Sequence, residues 1–229
     1  MSENLYVLDH GCSHRLYAGG QRVNYNKQRC PVCNVFPETL EPPEIEIALN
    51  HLGRHRFAEH LWHHNIFRED LTELWRNTGL TGFRTKPVHI VGWYEKPEKP
   101  LPEGMPTYYE LVTTSKVRLI EPPPRGAPCP RCGFIEYDFP KLGIYLANGM
   151  RVDPTSWDGS DFFGLAHYEF ILCSYRAAAV TLEAGYNKHI AFVRAEDWAR
   201  WGDFDYRKWT PKAYGQHMES FLIRRVENL

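Results

Sequence analysis

Cys30-Pro31-Val32-Cys33-Asn34 and Cys129-Pro130-Arg131-Cys132-Gly133 are two short cysteine-bearing turns, here called knuckle 1 and knuckle 2. The Cys-x-x-Cys spacing lets two thiolates point at one ion, and two such turns supply the four sulfur ligands of a tetrahedral zinc site. The residue after each second cysteine favours a positive φ, which glycine adopts freely and asparagine tolerates. The sequence therefore predicts a structural zinc ion with the ligands Cys30, Cys33, Cys129 and Cys132.

Other interpretations of the knuckles stay open at this stage. The cysteines could form disulfides, act as a redox pair, or be retained without a metal. A redox Cys-x-x-Cys normally opens a helix after a strand, whereas extended, proline-interrupted or aromatic sequence follows both knuckles. The long stretch between the knuckles indicates that a substantial substructure is inserted there.

The composition fits a globular chain with a large core. A length of 229 residues, 43% of them hydrophobic, suits one large domain or two small, closely packed ones. Aromatic residues make up 14% of the chain and include seven tryptophans. The net charge of −1 argues against a polybasic nucleic-acid surface and against an acidic mimic of nucleic acid.

Localisation follows from the termini, the apolar runs and the cysteines. The first twenty residues lack the charged-then-apolar pattern of a signal peptide. No apolar run approaches the ~20 residues of a membrane span. Six cysteines, four of them in metal-type pairs, fit a reducing compartment. We therefore expect a cytoplasmic protein with no membrane partner.

Helical and extended patterns alternate along the chain. Residues 67–78 carry a helical apolar stripe that ends at Gly79, and Ser174 can cap a helix over 175–184 that ends at Gly185. A further helix is expected to begin at Thr210-Pro211. Extended patterns predict strands at 4–8, 88–91, 106–112, 117–120, 134–139, 169–173 and 189–193. We expect 106–112 and 117–120 to pair as a hairpin that delivers knuckle 2, and 15–18 to pair with 4–8.

The order of these elements indicates an internal repeat. Each knuckle is followed by a helix, a terminal glycine and a strand. The sequence therefore predicts an α+β fold with two similar α+β halves, joined by a zinc-ribbon-like four-cysteine site formed from the two distant knuckles. The whole of 1–229 is expected to be a single compact domain, with pseudo-repeats at approximately 1–110 and 111–229.

The histidine-rich segment 51–64 is a second place where a metal could bind. His51 with His55, and His60 with His64, have the i, i+4 spacing that places a pair on one helical face. The segment lacks a His-Glu-x-x-His motif, which favours a half-exposed surface segment over a catalytic site. The turn containing His10, Cys12 and His14 could supply a ligand, although ordinary turn chemistry is favoured there.

An acidic, aromatic loop spans residues 153–163. Asp153, Asp158 and Asp161 lie close together in sequence, but their spacing does not match a calcium loop. We therefore expect these carboxylates to cap turns. Cys173, in the apolar strand that follows, is expected to be a small core residue.

The two knuckles, the helix–glycine–strand units and Trp157-Asp158-Gly159-Ser160-Asp161-Phe162-Phe163 together resemble the double-CXXCG motif proteins abundant in myxobacteria. The resemblance implies a small cytoplasmic protein with a zinc ribbon, and some members look like immunity proteins that neutralise a cognate toxin. Carried over by position, it implies only the four knuckle cysteines as ligands. The chain departs from the motif at Asn34, where the family has glycine.

The resulting expectation is a non-enzymatic binding protein whose partner is a cognate protein toxin. Tyrosine, tryptophan and arginine are the usual interface anchors. The candidate anchors are Trp62, His63, Trp93, Tyr108, Trp157 and Phe162. A zinc-ribbon nucleic-acid-binding or regulatory protein is the alternative, with nucleic acid disfavoured by the missing basic stripe. A metalloenzyme using the histidines or aspartates is a third hypothesis, disfavoured because four cysteines close the zinc site.

Overall fold

The computed structural model describes residues 4–9, 29–34, 45–49, 57–61, 64–93, 96–120, 125–132, 135–137, 150–165, 170–186 and 190–197. Within them lie two α-helices, α1 (Glu69–Asn77) and α2 (Tyr175–Glu183), and a 3-10 turn at Pro154–Ser156. The strands are β1 (Tyr6–Asp9), β2 (Ile45–Leu49), β3 (Phe57–Leu61), β4 (His64–Arg68), β5 (Phe83–Trp93), β6 (Tyr108–Thr113), β7 (Lys116–Val117), β8 (Arg125–Pro128), β9 (Ile135–Tyr137), β10 (Phe162–Leu165), β11 (Ile171–Cys173) and β12 (Ala191–Arg194).

The described strands form two five-stranded sheets and one two-stranded ribbon. Sheet A has the order β12-β1-β11-β10-β7, and sheet B has the order β2-β5-β6-β4-β3. Neighbouring strands are antiparallel except for β7 with β10 and β2 with β5. The ribbon consists of β8 and β9. The prediction of an α+β fold is confirmed.

Alternate side chains of the strands enter different cores. On β1, Tyr6 and Leu8 join a central core shared with both helices, whereas Val7 faces a separate cluster on the outer side of sheet A. Sheet B behaves in the same way, with Phe67 in the central core and Ile66 in an outer cluster. The period of two in the strand pleat produces this division. The central core therefore lies between the two sheets and holds the helices.

Helix α1 buries one stripe of its surface and ends at a glycine, as the sequence predicts. Leu71 and Trp75 are completely buried, and the acidic residues Glu69 and Asp70 in the first turn suit the positive end of the helix dipole. Gly79, just beyond the last turn, has φ 67°. That left-handed conformation is the usual helix stop, because glycine has no Cβ to clash.

Helix α2 is capped as expected at both ends. The Ser174 hydroxyl accepts a hydrogen bond from the Ala177 amide at 3.2 Å, which satisfies one of the free N–H groups of the first turn. Gly185 follows the helix with φ 83°. Cys173, immediately before the cap, is completely buried in the central core, as predicted.

The two helices contact each other in the central core. The indole N–H of Trp75 donates to the Thr181 hydroxyl at 2.9 Å, with both side chains completely buried. The Trp75 ring also lies 5.0 Å from the Phe67 ring and 4.7 Å from the Phe162 ring, measured between centroids. Such aromatic pairs contribute about 0.5–1.5 kcal/mol each beyond area burial. The contact joins a helix of sheet B to a helix of sheet A.

A buried carboxylate also joins the two sheets. Asp161 accepts hydrogen bonds from the Thr81 amide at 3.0 Å, the Ser174 hydroxyl at 2.8 Å and the Arg176 guanidinium at 2.9 Å. Thr81 follows α1, whereas Ser174 and Arg176 belong to the start of α2. The Asp161 side chain is 7% exposed, and its oxygens are well supplied with donors. Asp161 therefore fixes the loop after α1 against the N-terminus of α2.

The structure differs from the sequence analysis at three places. Strand β7 does not form a hairpin with β6; it pairs in parallel with β10 of the other sheet. Residues 57–61 and 64–68 are the strands β3 and β4, so His60 and His64 are not an i, i+4 pair on a helix. The helix predicted over 67–78 begins at Glu69, because residues 66–68 pair with β6.

The remaining differences concern a strand that was not predicted and predictions that lie outside the described residues. The strand β2 was not anticipated and forms one edge of sheet B. Residues 96–106 lie outside the helices and strands. The hairpin partner at 15–18, the helix beginning at Thr210, and the residues His10, Cys12, His14, His51 and His55 lie outside the described residues.

Gly82 provides a test of how tightly the two sheets meet. It has φ 84°, and a Cβ there would lie 2.0 Å from the carbonyl oxygen of Phe162. Gly82→Ala should lower the free energy of unfolding by roughly 3 kcal/mol or more, since strain and a backbone clash add. Urea unfolding followed by circular dichroism measures the change.

Gly104→Ala is the matched control for Gly82→Ala. Gly104 also has a positive φ, 72°, but a Cβ there would meet nothing within 4 Å. The control should cost only about 1–2 kcal/mol, the strain term alone. Equal losses in the two variants would contradict the close approach of the two sheets at Gly82.

Candidate metal centre

Knuckle 1 closes as a tight turn on Asn34. The Asn34 amide donates to the Cys30 carbonyl oxygen at 2.7 Å, and Asn34 has φ 58°. Among the described residues it is the one non-glycine residue with a positive φ. The Arg29 guanidinium donates to the Asn34 carbonyl oxygen at 3.2 Å. Asparagine therefore takes the conformation expected of the glycine in the family motif.

Knuckle 2 stands between the two strands of the small ribbon. β8 leads directly into Cys129, and β9 follows shortly after Cys132. The two strands pair antiparallel, with Pro128 opposite Ile135 and Arg125 opposite Tyr137. The ribbon, and not the hairpin expected from residues 106–120, delivers knuckle 2. Gly133, whose φ was expected to be positive, lies outside the described residues.

The two knuckles bring four sulfur atoms together. The sulfur atoms of Cys30 and Cys129 lie 3.9 Å apart, those of Cys33 and Cys132 lie 3.5 Å apart, and all four are within 4.8 Å of one another. A tetrahedral ion with metal–sulfur bonds of ~2.3 Å places its ligand sulfurs about 3.8 Å apart. The spacing therefore fits a single four-coordinate ion, and the described cysteines are all free thiols.

Backbone amides stabilise the thiolate form of one cysteine in each knuckle. Hydrogen bonds from the backbone of Cys33, then of Val32, lower the pKa of Cys30 to about 6. In knuckle 2, the backbone N–H groups of Cys132 and Arg131 lower the pKa of Cys129 in the same way. Metal binding requires deprotonated thiols. The turns therefore favour the charge state that binds a metal before any ion arrives.

The aspartates of the 153–163 loop serve as turn caps, as predicted for Asp153 and Asp158. Asp153 accepts from the Thr155 amide at 3.0 Å, and Asp158 accepts from the Ser160 amide at 3.0 Å. Hydrogen bonds from the Thr155 hydroxyl, then its amide, lower the pKa of Asp153, and those from the Ser160 hydroxyl, then its amide, lower the pKa of Asp158. Asp161 instead joins the two sheets, a role that its sequence neighbours did not reveal. Among the described residues, the four knuckle cysteines are the one group with metal-binding geometry.

Two of the predicted partner anchors are core residues. Tyr108 is 1% exposed in the outer cluster of sheet B, and Phe162 is completely buried beside Trp75. Neither side chain is at the surface. Aromatic residues in strands point to either face according to their register, which the sequence alone did not fix.

Trp93 and Trp157 lie nearer the surface. Trp93 is 9% exposed, donates its indole N–H to the Pro100 carbonyl oxygen at 3.2 Å and is covered by Lys99. Trp157 is half-buried, with its indole N–H on the Ser160 carbonyl oxygen. The other two anchors, Trp62 and His63, lie outside the described residues.

Searches with models of protein families and against curated protein sequences find no match for the chain. None of the helices in the described part of the chain is both long and apolar enough to cross a membrane.

The four-sulfur geometry predicts one divalent metal ion per chain. Cys33→Ser should lower metal affinity at least tenfold, because it replaces a thiolate ligand with a poor one. Elemental analysis after dialysis measures the stoichiometry, and the absorption of the cobalt-substituted protein reports the number of thiolate ligands.

Cys173→Ala is the control for the metal measurement. Cys173 is buried in the central core, away from the knuckles, and desolvation raises its pKa well above the usual value. This variant should retain one ion per chain. Full retention of metal by Cys33→Ser, or its loss from Cys173→Ala, would contradict the assignment of the ligands.

Proposed function

We propose that the chain is an immunity-type binding protein that neutralises a cognate bacterial toxin by direct binding, with a structural zinc ion in its scaffold. The observation that carries the proposal is the clustering of four cysteine sulfurs from two knuckles that are distant in sequence. Four thiolates complete the coordination shell of zinc and leave no position for water or substrate. A closed site of this kind supports a structural role.

Zinc is the metal that best suits this set of ligands. Soft thiolate ligands in a tetrahedral arrangement select zinc or an iron–sulfur centre, whereas calcium and magnesium prefer oxygen. The sulfur separations of 3.5 Å and 3.9 Å match the ~3.8 Å edge of a mononuclear zinc site. Structural zinc contributes about 10–16 kcal/mol of apparent binding free energy in small peptides.

In this proposal the zinc joins two similar α+β halves of one domain. Each half contributes one knuckle, one helix that ends at a glycine, and the strands on either side of that helix. The ion then stabilises the assembly of a rigid scaffold in the cytoplasm. Rigid scaffolds bind protein partners at a low entropic cost.

The immunity role also draws on the resemblance to double-CXXCG proteins and on the near-neutral charge, which does not favour nucleic acid. Among the described anchor candidates, Trp157 offers the larger exposed surface. Tryptophan is enriched among residues that dominate interface energetics. We therefore place Trp157 and the loop around it at the toxin interface.

Co-expression with the product of the neighbouring open reading frame tests the proposed function. The chain should protect cells from that product and should co-purify with it as a stable complex. Toxicity that persists in the presence of the chain, together with the absence of a complex, would reject the immunity function.

Trp157→Ala should weaken the toxin complex by about 30-fold, the effect of truncating an interface residue worth ~2 kcal/mol. Isothermal titration calorimetry gives the affinity, and a thermal melt of the free variant shows whether its fold is intact. Trp93→Phe is the control, since it removes a largely buried indole N–H outside the 153–163 loop. Unchanged affinity in a folded Trp157→Ala variant would place the interface elsewhere.

A zinc-ribbon nucleic-acid-binding or regulatory protein is the second candidate. The exposed side chain of Arg131 in knuckle 2 favours it. Binding of DNA or RNA at low salt that weakens when Arg131 is changed to Ala would support this function over the first.

A further inference from the structure

Four strands of sheet A have the same order and antiparallel pairing as four strands of sheet B. In sheet B, the central strand β6 lies between β4 and β5, with Phe67 opposite Tyr109 and Thr85 opposite Leu111. In sheet A, the central strand β1 lies between β11 and β12. There Cys173 is opposite Tyr6, and Phe192 is opposite Leu8.

The two sets of pairs define one consistent correspondence, in which Phe67 matches Cys173, Tyr109 matches Tyr6, Thr85 matches Phe192 and Leu111 matches Leu8. The pairing of β3 with β4, and of β10 with β11, fits the same correspondence. Phe57 of β3 is opposite Phe67, and Phe162 of β10 is opposite Cys173. Both sheets therefore share the order of four strands and the antiparallel sense of each pair. The correspondence must also keep matching side chains on the same face of each sheet, since a shift of one residue would turn them to the other face.

The helices and the cores follow the same correspondence. Aligned on the glycines that end them, Leu71 of α1 matches Ala177 of α2, and Leu80 matches Tyr186, all in the central core. The strand pairs agree as well: Leu111 and Leu8 both face the central core, whereas Ile66 and its match Leu172 face the outer clusters.

Three pairs of matching residues contact each other directly. Trp75 and Thr181, which match in the helix alignment, share a hydrogen bond across 106 positions of the chain. Cys30 lies against Cys129, and Cys33 lies against Cys132, each pair 99 positions apart. In a two-fold arrangement, a residue touches its own equivalent only where both lie close to the axis.

We propose that the chain is an internal duplication folded as a pseudo-dimer, with a two-fold axis that passes between Trp75 and Thr181 and through the four-cysteine cluster. The first copy comprises β3, β4, α1, β5 and β6. The second comprises β10, β11, α2, β12 and, as its central strand, β1 from the start of the chain. The sequence-based boundary near residue 110 therefore does not apply to β1, which belongs to the second copy.

The surface between the copies is an interface that the Trp75–Thr181 and Asp161 hydrogen bonds cross, and β7 pairs with β10 beside it. Two further ties hold the copies together. One is the metal, whose ligands come in equal pairs from the two knuckles; this tie rests on the zinc site proposed above. The other is β1, which is joined covalently to the first copy's part of the chain yet paired on both edges within the second. Val7 on β1 is 1% exposed and packs with residues of the second copy.

Cleavage of the folded chain between the copies tests both ties. A protease site replaces residues 121–124 of the full-length protein, and the chain is cut after folding with zinc. The fragments should remain a 1:1 complex with one zinc ion in native mass spectrometry. Removing zinc with a chelator should raise the dissociation constant of the fragments at least tenfold without separating them completely, because β1 and β7 of the N-terminal fragment still pair with strands of the C-terminal fragment.

Val7→Ala and Val88→Ala form a matched pair for the second tie. Both lie in the N-terminal fragment, both are buried, and both substitutions remove the same two methyl groups, but Val88 packs within the first copy. In the metal-free cut protein, Val7→Ala should weaken the association of the fragments by about tenfold. Val88→Ala should change it less than about twofold.

The outcomes separate the parts of the proposal. Fragments that fall apart in zinc, or equal effects of Val7→Ala and Val88→Ala, would overturn the assignment of β1 to the second copy. A chelator without effect would reject the zinc tie and the proposed zinc site, while a surviving contrast between the two valines would still support the duplication. In a crystal structure, the copies should superpose by a rotation of about 180°; a clearly different rotation would overturn the two-fold axis.

Discussion

Four cysteine sulfurs held within 4.8 Å of one another are the arrangement on which the rest of this structure depends. Two thiolates ~4 Å apart repel each other by about 4 kcal/mol at an effective dielectric constant of 20, and four thiolates form six such pairs. The backbone amides of the knuckles nevertheless favour the ionised form of Cys30 and Cys129. A divalent cation resolves this conflict, because its attraction for each sulfur exceeds the repulsion among them. The knuckles therefore have the geometry and charge to hold a divalent ion.

Segments distant in sequence also meet at several separate places. The stretch between the knuckles contains an entire sheet, a helix and part of the central core. Closing so long a loop costs conformational entropy. The Trp75–Thr181 hydrogen bond and the Asp161 network oppose that cost at the helices. A metal bound by the four cysteines would oppose it at the knuckles as well.

Local chemistry made the helices and the knuckles predictable. Ser174 has the hydroxyl that caps a helix, and Gly79 and Gly185 have the conformational freedom that ends one. Asn34 and the cysteine spacing specified a turn around an ion. Each of these features is decided by residues a few positions apart, which is why sequence reasoning found them.

Long-range pairing decided what the sequence did not reveal. β7 follows β6 closely, yet it crosses to the other sheet. Tyr108 and Phe162 are of aromatic types that could anchor an interface, but the register of their strands turns both side chains into the cores. Asp161 differs from Asp153 and Asp158 in its burial between the two sheets, where residues after α1 and at the start of α2 donate to it.

A pseudo-dimer gives these long-range pairings a common origin. If two copies of one unit came to share a chain, the strand that completes the second copy could be supplied from either end. Here the N-terminal end supplies it, and β1 becomes central in a sheet whose other strands come from the C-terminal half. A metal on the axis then receives two ligands from each copy by symmetry, so a single Cys-x-x-Cys turn per copy is sufficient. The closed coordination shell is in this view a consequence of the symmetry.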